Sequence, residues 1–192
     1  MDRILEILGF SVGLLYLWWE YHADARVWLA SMVMPAISMW IYFSKGIYAD
    51  FAINIYYLVM AVYGYAIWRA GGSRGKDKKP QPITHTPLWA WAVAAGALAA
   101  LWAALAWILA TFTDSTVPVT DGFTTALSIV ATWMMARKYA EQWLAWLVVD
   151  IVCVALYAYK GLIFYPILYA AYTVIAVFGY RKWLRLMHAR TD

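Results

Sequence analysis

One carboxylate stands well inside an apolar stretch of this 192-residue chain. Trp143, Trp146 and Asp150 are separated by three and then four residues, so in a helix their side chains share one face. Two indole rings and a carboxylate can seat a flat aromatic cation, since a cation is attracted to ring faces and, away from water, strongly to a carboxylate. The spacing therefore predicts a binding site for a cationic ring compound.

Each of these side chains also has an ordinary structural explanation. Tryptophans are enriched where helices cross the surface of a bilayer, and Trp143 lies near the beginning of its apolar stretch. Asp150 could pair with a cation on another helix, although no Lys or Arg is expected at the same depth. A buried ionisable residue in a membrane segment is nevertheless a functional candidate by default.

The composition requires lipid as the main solvent of this chain. Hydrophobic residues make up 65%, charged residues only 14%, and the mean hydropathy is +0.62, whereas soluble proteins are about half apolar and a quarter charged. Seven predominantly apolar runs are predicted to be helical spans, so the fold class is an all-α integral membrane protein. They cover residues 4–21, 27–44, 51–68, 87–113, 122–136, 142–159 and 161–180.

The distribution of basic residues predicts the orientation of the seven spans. If the chain crosses the membrane seven times, 12 of the 15 Lys and Arg residues fall on the side that holds the C-terminus. The positive-inside rule then places the N-terminus outside and the C-terminus in the cytoplasm. These charges explain the net +4 as topology signals, and a soluble basic face for nucleic acid is not present.

An internal repeat relates the two ends of the chain. At an offset of 115 residues, 14 of the 41 positions from 28 to 68 are identical to those from 143 to 183, including several Trp, Tyr, Lys and Gly residues. Spans 1–3 and 5–7 are therefore predicted to be two parallel three-helix units joined by a single span, as in some transporters. The predicted divisions are 1–69 for the first repeat, 70–86 for a cytoplasmic linker, 87–113 for the linker helix and 114–192 for the second repeat with its cytoplasmic tail.

The repeat adds polar candidates to the predicted binding site. Asn54 and Tyr57 occupy the positions of Tyr169 and Tyr172 in the other half, and Trp40 is a further candidate in the second span. Such groups line a cavity or bridge helices, and bridging is the commoner use in membranes. A stripe of hydroxyls in the fifth span is explained equally well by close helix packing: Thr124, Thr125, Ser128 and Thr132.

Enzyme and cofactor signatures are missing from the sequence. There is no Ser/His/Asp or Cys/His set, no GxSxG or HExxH motif and no phosphate-binding glycine loop. The single cysteine, Cys153, excludes an internal disulfide and makes no thiolate metal site by itself. We therefore expect a protein that is not an enzyme and needs neither a cofactor nor a metal.

The stretch from Trp143 to Asp150 resembles the WxxWxxx(N/D) motif of the PnuC family of vitamin transporters. Agreement extends to Lys160-Gly161, to Tyr169 and Tyr172, and to the seven-span, duplicated organisation. The resemblance implies a 3+1+3 SWEET-like fold, a homotrimer in the inner (plasma) membrane, and facilitated diffusion of an unphosphorylated B-vitamin that a cytoplasmic kinase then traps. It also implies substrate contacts for Trp143, Trp146 and Asp150.

Two vitamins fit a seat for a flat aromatic cation, namely thiamine and nicotinamide riboside. The segments Met34-Pro35-Ala36-Ile37 and 48–57 look most like the compact thiamine-transporting PnuT branch. We therefore expect thiamine uptake, with nicotinamide riboside as the alternative. A SWEET-like sugar carrier and a membrane interaction protein without transport activity are more distant alternatives. A sugar carrier has no use for a buried carboxylate beside two tryptophans, and an interaction protein would tolerate Asp150→Leu.

Overall fold

A computed structural model describes residues 15–44, 48–70, 81–161 and 164–189. Within these ranges the chain forms helices and no regular strand. The described part of the first helix, α1, covers residues 15–21. The six helices that follow are α2 (Arg26–Ser44), α3 (Tyr48–Ala70), α4 (Leu88–Phe112), α5 (Pro118–Ala136), α6 (Gln142–Tyr159) and α7 (Phe164–His188).

The predicted all-α class is confirmed, and every predicted span coincides with a helix in the described residues. Residues 4–14 and the predicted linker stretch 71–80 lie outside them. The helices α3, α5 and α7 are longer than their apolar runs, and α7 continues through Arg181 and Lys182. Hydropathy marks only the part of a helix that suits lipid, whereas backbone hydrogen bonding continues into the polar ends.

The described chain divides into two compact units, Met1–Pro82 and Ile83–Asp192. The division lies inside the predicted linker 70–86, and it groups α4 with the three helices that follow. In the first unit α2 and α3 pack as a hairpin. In the second unit the neighbours along the chain pack together, α4 on α5, α5 on α6 and α6 on α7.

A tryptophan seated on a glycine holds the helix pair in the first unit. Trp28 is 2% exposed, and a methyl group at Gly64 would collide with its ring. The ring of Trp68 meets Trp28 edge to face, with 5.6 Å between centroids and 90° between planes. Because glycine has no side chain, the α3 backbone can approach the indole closely.

The same arrangement recurs in the second unit. Trp143 is 3% exposed, and a Cβ at Gly179 would lie 2.6 Å from its Cε2 atom. Trp183 meets Trp143 edge to face at 5.9 Å and 87°. All three residues lie 115 positions after their counterparts, so the packing supports the predicted duplication. The parallel 3+1+3 arrangement of the two units stays a prediction.

A polar clamp joins the segment before α4 to the turn between α5 and α6. The backbone of Thr84 pairs with that of Lys138 and Ala140, through N–H···O distances of 3.1 and 3.0 Å. Both the backbone N–H and the hydroxyl of Thr86 donate to Oε2 of Glu141, at 2.8 and 2.7 Å, and Nδ1 of His85 lies 2.6 Å from Oε1. Burial opposes ionisation of Glu141, but these hydrogen bonds outweigh it and lower its pKa below the usual value.

Many large apolar side chains point away from the two units. Leu88, Trp107 and Phe112 of α4 are 88%, 62% and 69% exposed. In the part of the chain that the structure describes, α4 and α6 are long and apolar enough to cross a membrane. Soluble monomers rarely expose apolar patches of this extent, so the surface fits contact with lipid.

The hydroxyl stripe of α5 is used within its own helix. Thr125, Ser128 and Thr132 each donate to the carbonyl oxygen four residues earlier, at 2.8 Å in every case. Thr124 is directed in the same way to the carbonyls of Thr120 and Asp121. These contacts satisfy the hydroxyl protons locally, so they favour the packing explanation of the stripe over a polar channel lining.

Candidate functional site

Asp150 is a buried carboxylate in the middle of α6. It is 5% exposed, and within the described residues it makes neither an ion pair nor a hydrogen bond. A buried charge is costly unless a partner compensates it. The position therefore fits a ligand cation better than a structural ion pair.

Trp146 lies one helical turn before Asp150. Its ring packs against the buried cluster of Leu127, Val149 and Cys153. The indole Nε1 atom is buried and has no hydrogen-bond acceptor in the described part of the chain. The two side chains thus offer a ring face, a free donor and an acceptor to a molecule that binds between them.

Two tyrosines of α7 complete this side of the candidate site. Tyr169 packs against the same buried cluster as Trp146, and its ring meets Tyr172 edge to face at 5.8 Å and 82°. The Asp150 carboxylate is near enough to interact electrostatically with both tyrosine hydroxyls. The structure therefore brings together four of the predicted residues, namely Trp146, Asp150, Tyr169 and Tyr172.

Trp143 is placed differently from Trp146. Its indole is enclosed by Gly179 and Trp183 of α7, in the same packing that Trp28 has in the first unit. Seven residues separate it from Asp150, or about 10 Å along a helix axis. This packing gives Trp143 a structural role, and its predicted contact with substrate stays a prediction.

The remaining predicted residues belong to the first unit. Asn54 and Tyr57 lie on α3 and are half-buried, and Tyr57 meets Tyr56 at 5.6 Å between ring centroids. Trp40 lies on α2, and its side chain is outside the described part of the structure. Their contribution to a substrate site stays a prediction.

Two buried or half-buried side chains were not among the predicted site residues. Glu20 is 3% exposed and accepts a hydrogen bond from Tyr16, which also interacts with Tyr57. Tyr157 stacks on Tyr169 at 5.3 Å and 19°. A repeat signal was present for Tyr157, since Tyr42 occupies its position in the first half, but Glu20 carries no such signal because it lies before the repeated segment.

No group of three or more His, Cys, Asp or Glu side chains in the described ranges is placed to hold a metal ion. The arrangement on α6 and α7 instead suits noncovalent binding, with aromatic faces for a flat ring and a carboxylate for its positive charge.

Comparison with known proteins finds relatives that are named as transporters. The family model for the nicotinamide mononucleotide transporter matches residues 3–185. The nicotinamide riboside transporter PnuC of Neisseria mucosa is 26% identical over 97% of this chain and 74% of its own length. PnuC of Escherichia coli is 21% identical over 97% of this chain and 87% of its own length.

A third relative has a different named substrate. The riboflavin/roseoflavin transporter RibM of Streptomyces davaonensis is 32% identical, over 66% of this chain and 59% of its own length. Among solved structures, the crystal structure of the vitamin B3 transporter PnuC superimposes with a TM-score of 0.66 and 23% identity, covering 93% of this chain and 79% of that one. The fold is therefore shared with PnuC, and these relatives are transporters rather than enzymes. The match over residues 3–185 shows that the chain belongs to the nicotinamide mononucleotide transporter family.

Proposed function

We propose that this protein carries nicotinamide riboside across the inner membrane by facilitated diffusion with alternating access. Its family consists of multi-pass membrane transporters, and the relatives named above carry B-vitamins. The observation that carries the proposal is the buried Asp150 carboxylate, which lacks a cation partner among the described residues and lies one turn from the free indole donor of Trp146.

The positive charge of nicotinamide riboside suits a site that contains the Asp150 carboxylate. Nicotinamide riboside has a flat pyridinium ring, so its positive charge can lie near Asp150 while the ring contacts Trp146 or the tyrosines of α7. A phosphorylated form would bring an anion toward a buried carboxylate, and the repulsion disfavours it. This supports transport of the unphosphorylated vitamin, with phosphorylation by a cytoplasmic kinase keeping the product inside the cell.

The relatives favour nicotinamide riboside over thiamine. The expectation of thiamine rested on a resemblance of the first half to the PnuT branch, and no relative named above is a thiamine transporter. Riboflavin is a second candidate because of RibM. Its ring system is neutral, so it gains less than a cation from Asp150.

Separate calorimetric titrations of the detergent-purified protein test the substrate. Nicotinamide riboside, thiamine and riboflavin are each added, with quenching of the 13 tryptophans as a second readout. We expect nicotinamide riboside to bind most tightly, by at least tenfold. Tighter binding of thiamine or riboflavin would make that vitamin the substrate in place of nicotinamide riboside. Binding of none of the three would contradict the proposal.

The assembly and the orientation in the membrane are proposed on separate grounds. The resemblance to the PnuC family implies a homotrimer, and the charge distribution predicts an N-terminus outside and a C-terminus in the cytoplasm. Light scattering of the detergent-solubilised protein measures the number of subunits.

A further inference from the structure

Four tyrosine rings form a continuous series between α6 and α7. Tyr157 stacks on Tyr165, with 5.2 Å between centroids and 29° between planes, and on Tyr169, at 5.3 Å and 19°. Tyr169 in turn meets Tyr172 edge to face. We call these four residues the tyrosine ladder.

The ladder leads from an exposed helix end to the buried carboxylate. Tyr165 is 51% exposed and lies in the first turn of α7, next to the end of α6. Tyr172 is seven residues further along α7, and Asp150 is seven residues before Tyr157 in α6. Since the two helices are antiparallel, both lie about 10 Å deeper than the outer pair of rings. The inner end of the ladder therefore reaches the candidate site.

A lysine lies against Tyr157, one of the outer pair of rings in the ladder. Nζ of Lys160 lies 5.9 Å from the centroid of the Tyr157 ring, within the range of a cation–π contact. The same atom is 3.2 and 3.4 Å from the two carboxylate oxygens of Asp121, whose Oδ2 also accepts a hydrogen bond from Ser115 at 2.8 Å. The ammonium is thus held against the ring by an acidic group on α5.

We propose that the tyrosine ladder is the access path for the cationic ring of the substrate, and that Lys160 is a tethered cation which the substrate displaces from the Tyr157 ring. The inference rests on the proposed function. Each ring attracts a cation weakly and about equally, so the cation can move from one ring to the next. The carboxylate of Asp150 adds a negative charge that retains the cation at the inner end. The side chains of Lys160 and Asp121 are 30% and 26% exposed, so the ion pair between them is weak enough to be displaced.

Initial uptake of labelled nicotinamide riboside into proteoliposomes, below saturation, tests the role of the lysine. Lys160→Gln is expected to raise the rate about threefold, because the Tyr157 ring is no longer occupied. Lys160→Arg keeps a cation there and is expected to give less than half of that increase. An unchanged rate in Lys160→Gln, or the same increase in both variants, would contradict the proposal.

A double variant separates two causes of faster uptake. Removing Lys160 also leaves the Asp121 carboxylate bare, and a bare anion attracts cations by itself. The double variant Asp121→Asn/Lys160→Gln removes both charges and is expected to keep the threefold increase. A return to the wild-type rate would assign the increase to Asp121 and overturn the displacement of Lys160.

The rings themselves are tested at Tyr157. Tyr157→Leu is expected to lower the initial rate at least fivefold while the calorimetric Kd changes less than twofold, because Asp150 and Trp146 are retained. Tyr159→Leu is the matched control, since Tyr159 lies two residues away on the same helix, is 79% exposed and is not in the ladder. A wild-type rate in Tyr157→Leu, or an equal loss in Tyr159→Leu, would contradict the path.

These results are distinguishable from failure of the proposed function. If the vitamin binds in the calorimeter but the Lys160 and Tyr157 variants keep wild-type rates, only the ladder proposal is wrong. If no vitamin binds to the wild-type protein, the proposed function fails first.

Discussion

At the scale of single residues, Asp150 stands out because burying its charge is energetically costly and because the charge could serve a ligand. Its carboxylate is 5% exposed and has no ion-pair or hydrogen-bond partner in the described ranges. Ionisable residues inside membrane helices are expensive and face cavities or functional pathways. A bound cation would compensate this charge, which is why the residue is best explained by its ligand.

Asp150→Asn tests this explanation with a side chain of the same shape. The amide keeps the volume and loses the negative charge, so the Kd for nicotinamide riboside is expected to rise more than tenfold, or about 1.4 kcal/mol. Calorimetry on the purified variant measures it.

Asp114→Asn is the control for that measurement. Asp114 is an exposed acid in the loop between α4 and α5, so its loss changes the net charge equally without touching the site. Unchanged affinity in Asp150→Asn would remove Asp150 from the binding site.

Helix pairs in both units depend on an indole ring against a glycine. Trp28 with Gly64 and Trp143 with Gly179 place the largest side chain against the smallest. The contact fixes the separation of α6 and α7, the two helices that present Asp150 and the tyrosine ladder. The Trp143–Gly179 contact lies at one end of the α6–α7 pair, so it also affects how the two helices position the candidate site nearer the middle of the pair.

Gly179→Ala is expected to destabilise the protein. The added methyl group would lie 2.6 Å from the Trp143 ring, and overpacking of this kind costs about 1 to 3 kcal/mol. The midpoint of thermal unfolding in detergent, followed by tryptophan fluorescence, is expected to fall by several degrees.

Gly96→Ala provides a matched control on α4, because nothing lies within 4 Å of the added carbon. Alanine is the better helix former, so this variant is expected to keep or raise the midpoint. Equal midpoints for the two variants would contradict the role of the Trp143–Gly179 contact.

At the scale of the whole molecule, Asp150 is the one buried acid on the candidate path within the described residues, and the proposed substrate already carries a positive charge. This combination gives no evident route for coupling transport to protons. The proposed facilitated diffusion, followed by intracellular phosphorylation, would account for net uptake without an ion gradient.

Uptake of nicotinamide riboside is therefore expected to persist when a protonophore collapses the proton gradient. Proteoliposomes with an imposed proton gradient and labelled vitamin outside measure uptake with and without the protonophore. Loss of uptake on addition of the protonophore would show that transport is proton-coupled and overturn the facilitator mechanism.

The sequence by itself determined the helices, the duplication and the candidate carboxylate of this protein. A run of apolar residues extends over most of the length of a helix, so the runs in the sequence located the helices that the structure describes. The offset of 115 residues also anticipated that Trp28 and Trp143 pack alike, because identical Trp and Gly residues at equal spacing meet in the same way. The identity of Asp150 as a buried acid followed from its apolar neighbours alone.

Only the tertiary structure decided how the residues on one helix face divide between packing and binding. Trp143 and Trp146 share a helix face, and both indole Nε1 atoms are buried without an acceptor in the described residues, yet Gly179 encloses the first ring, while the second lies one turn from Asp150. Likewise, Tyr157 and Tyr165 come together only because α6 and α7 are antiparallel. Periodicity records the direction of a side chain, whereas its function depends on which neighbour lies in that direction.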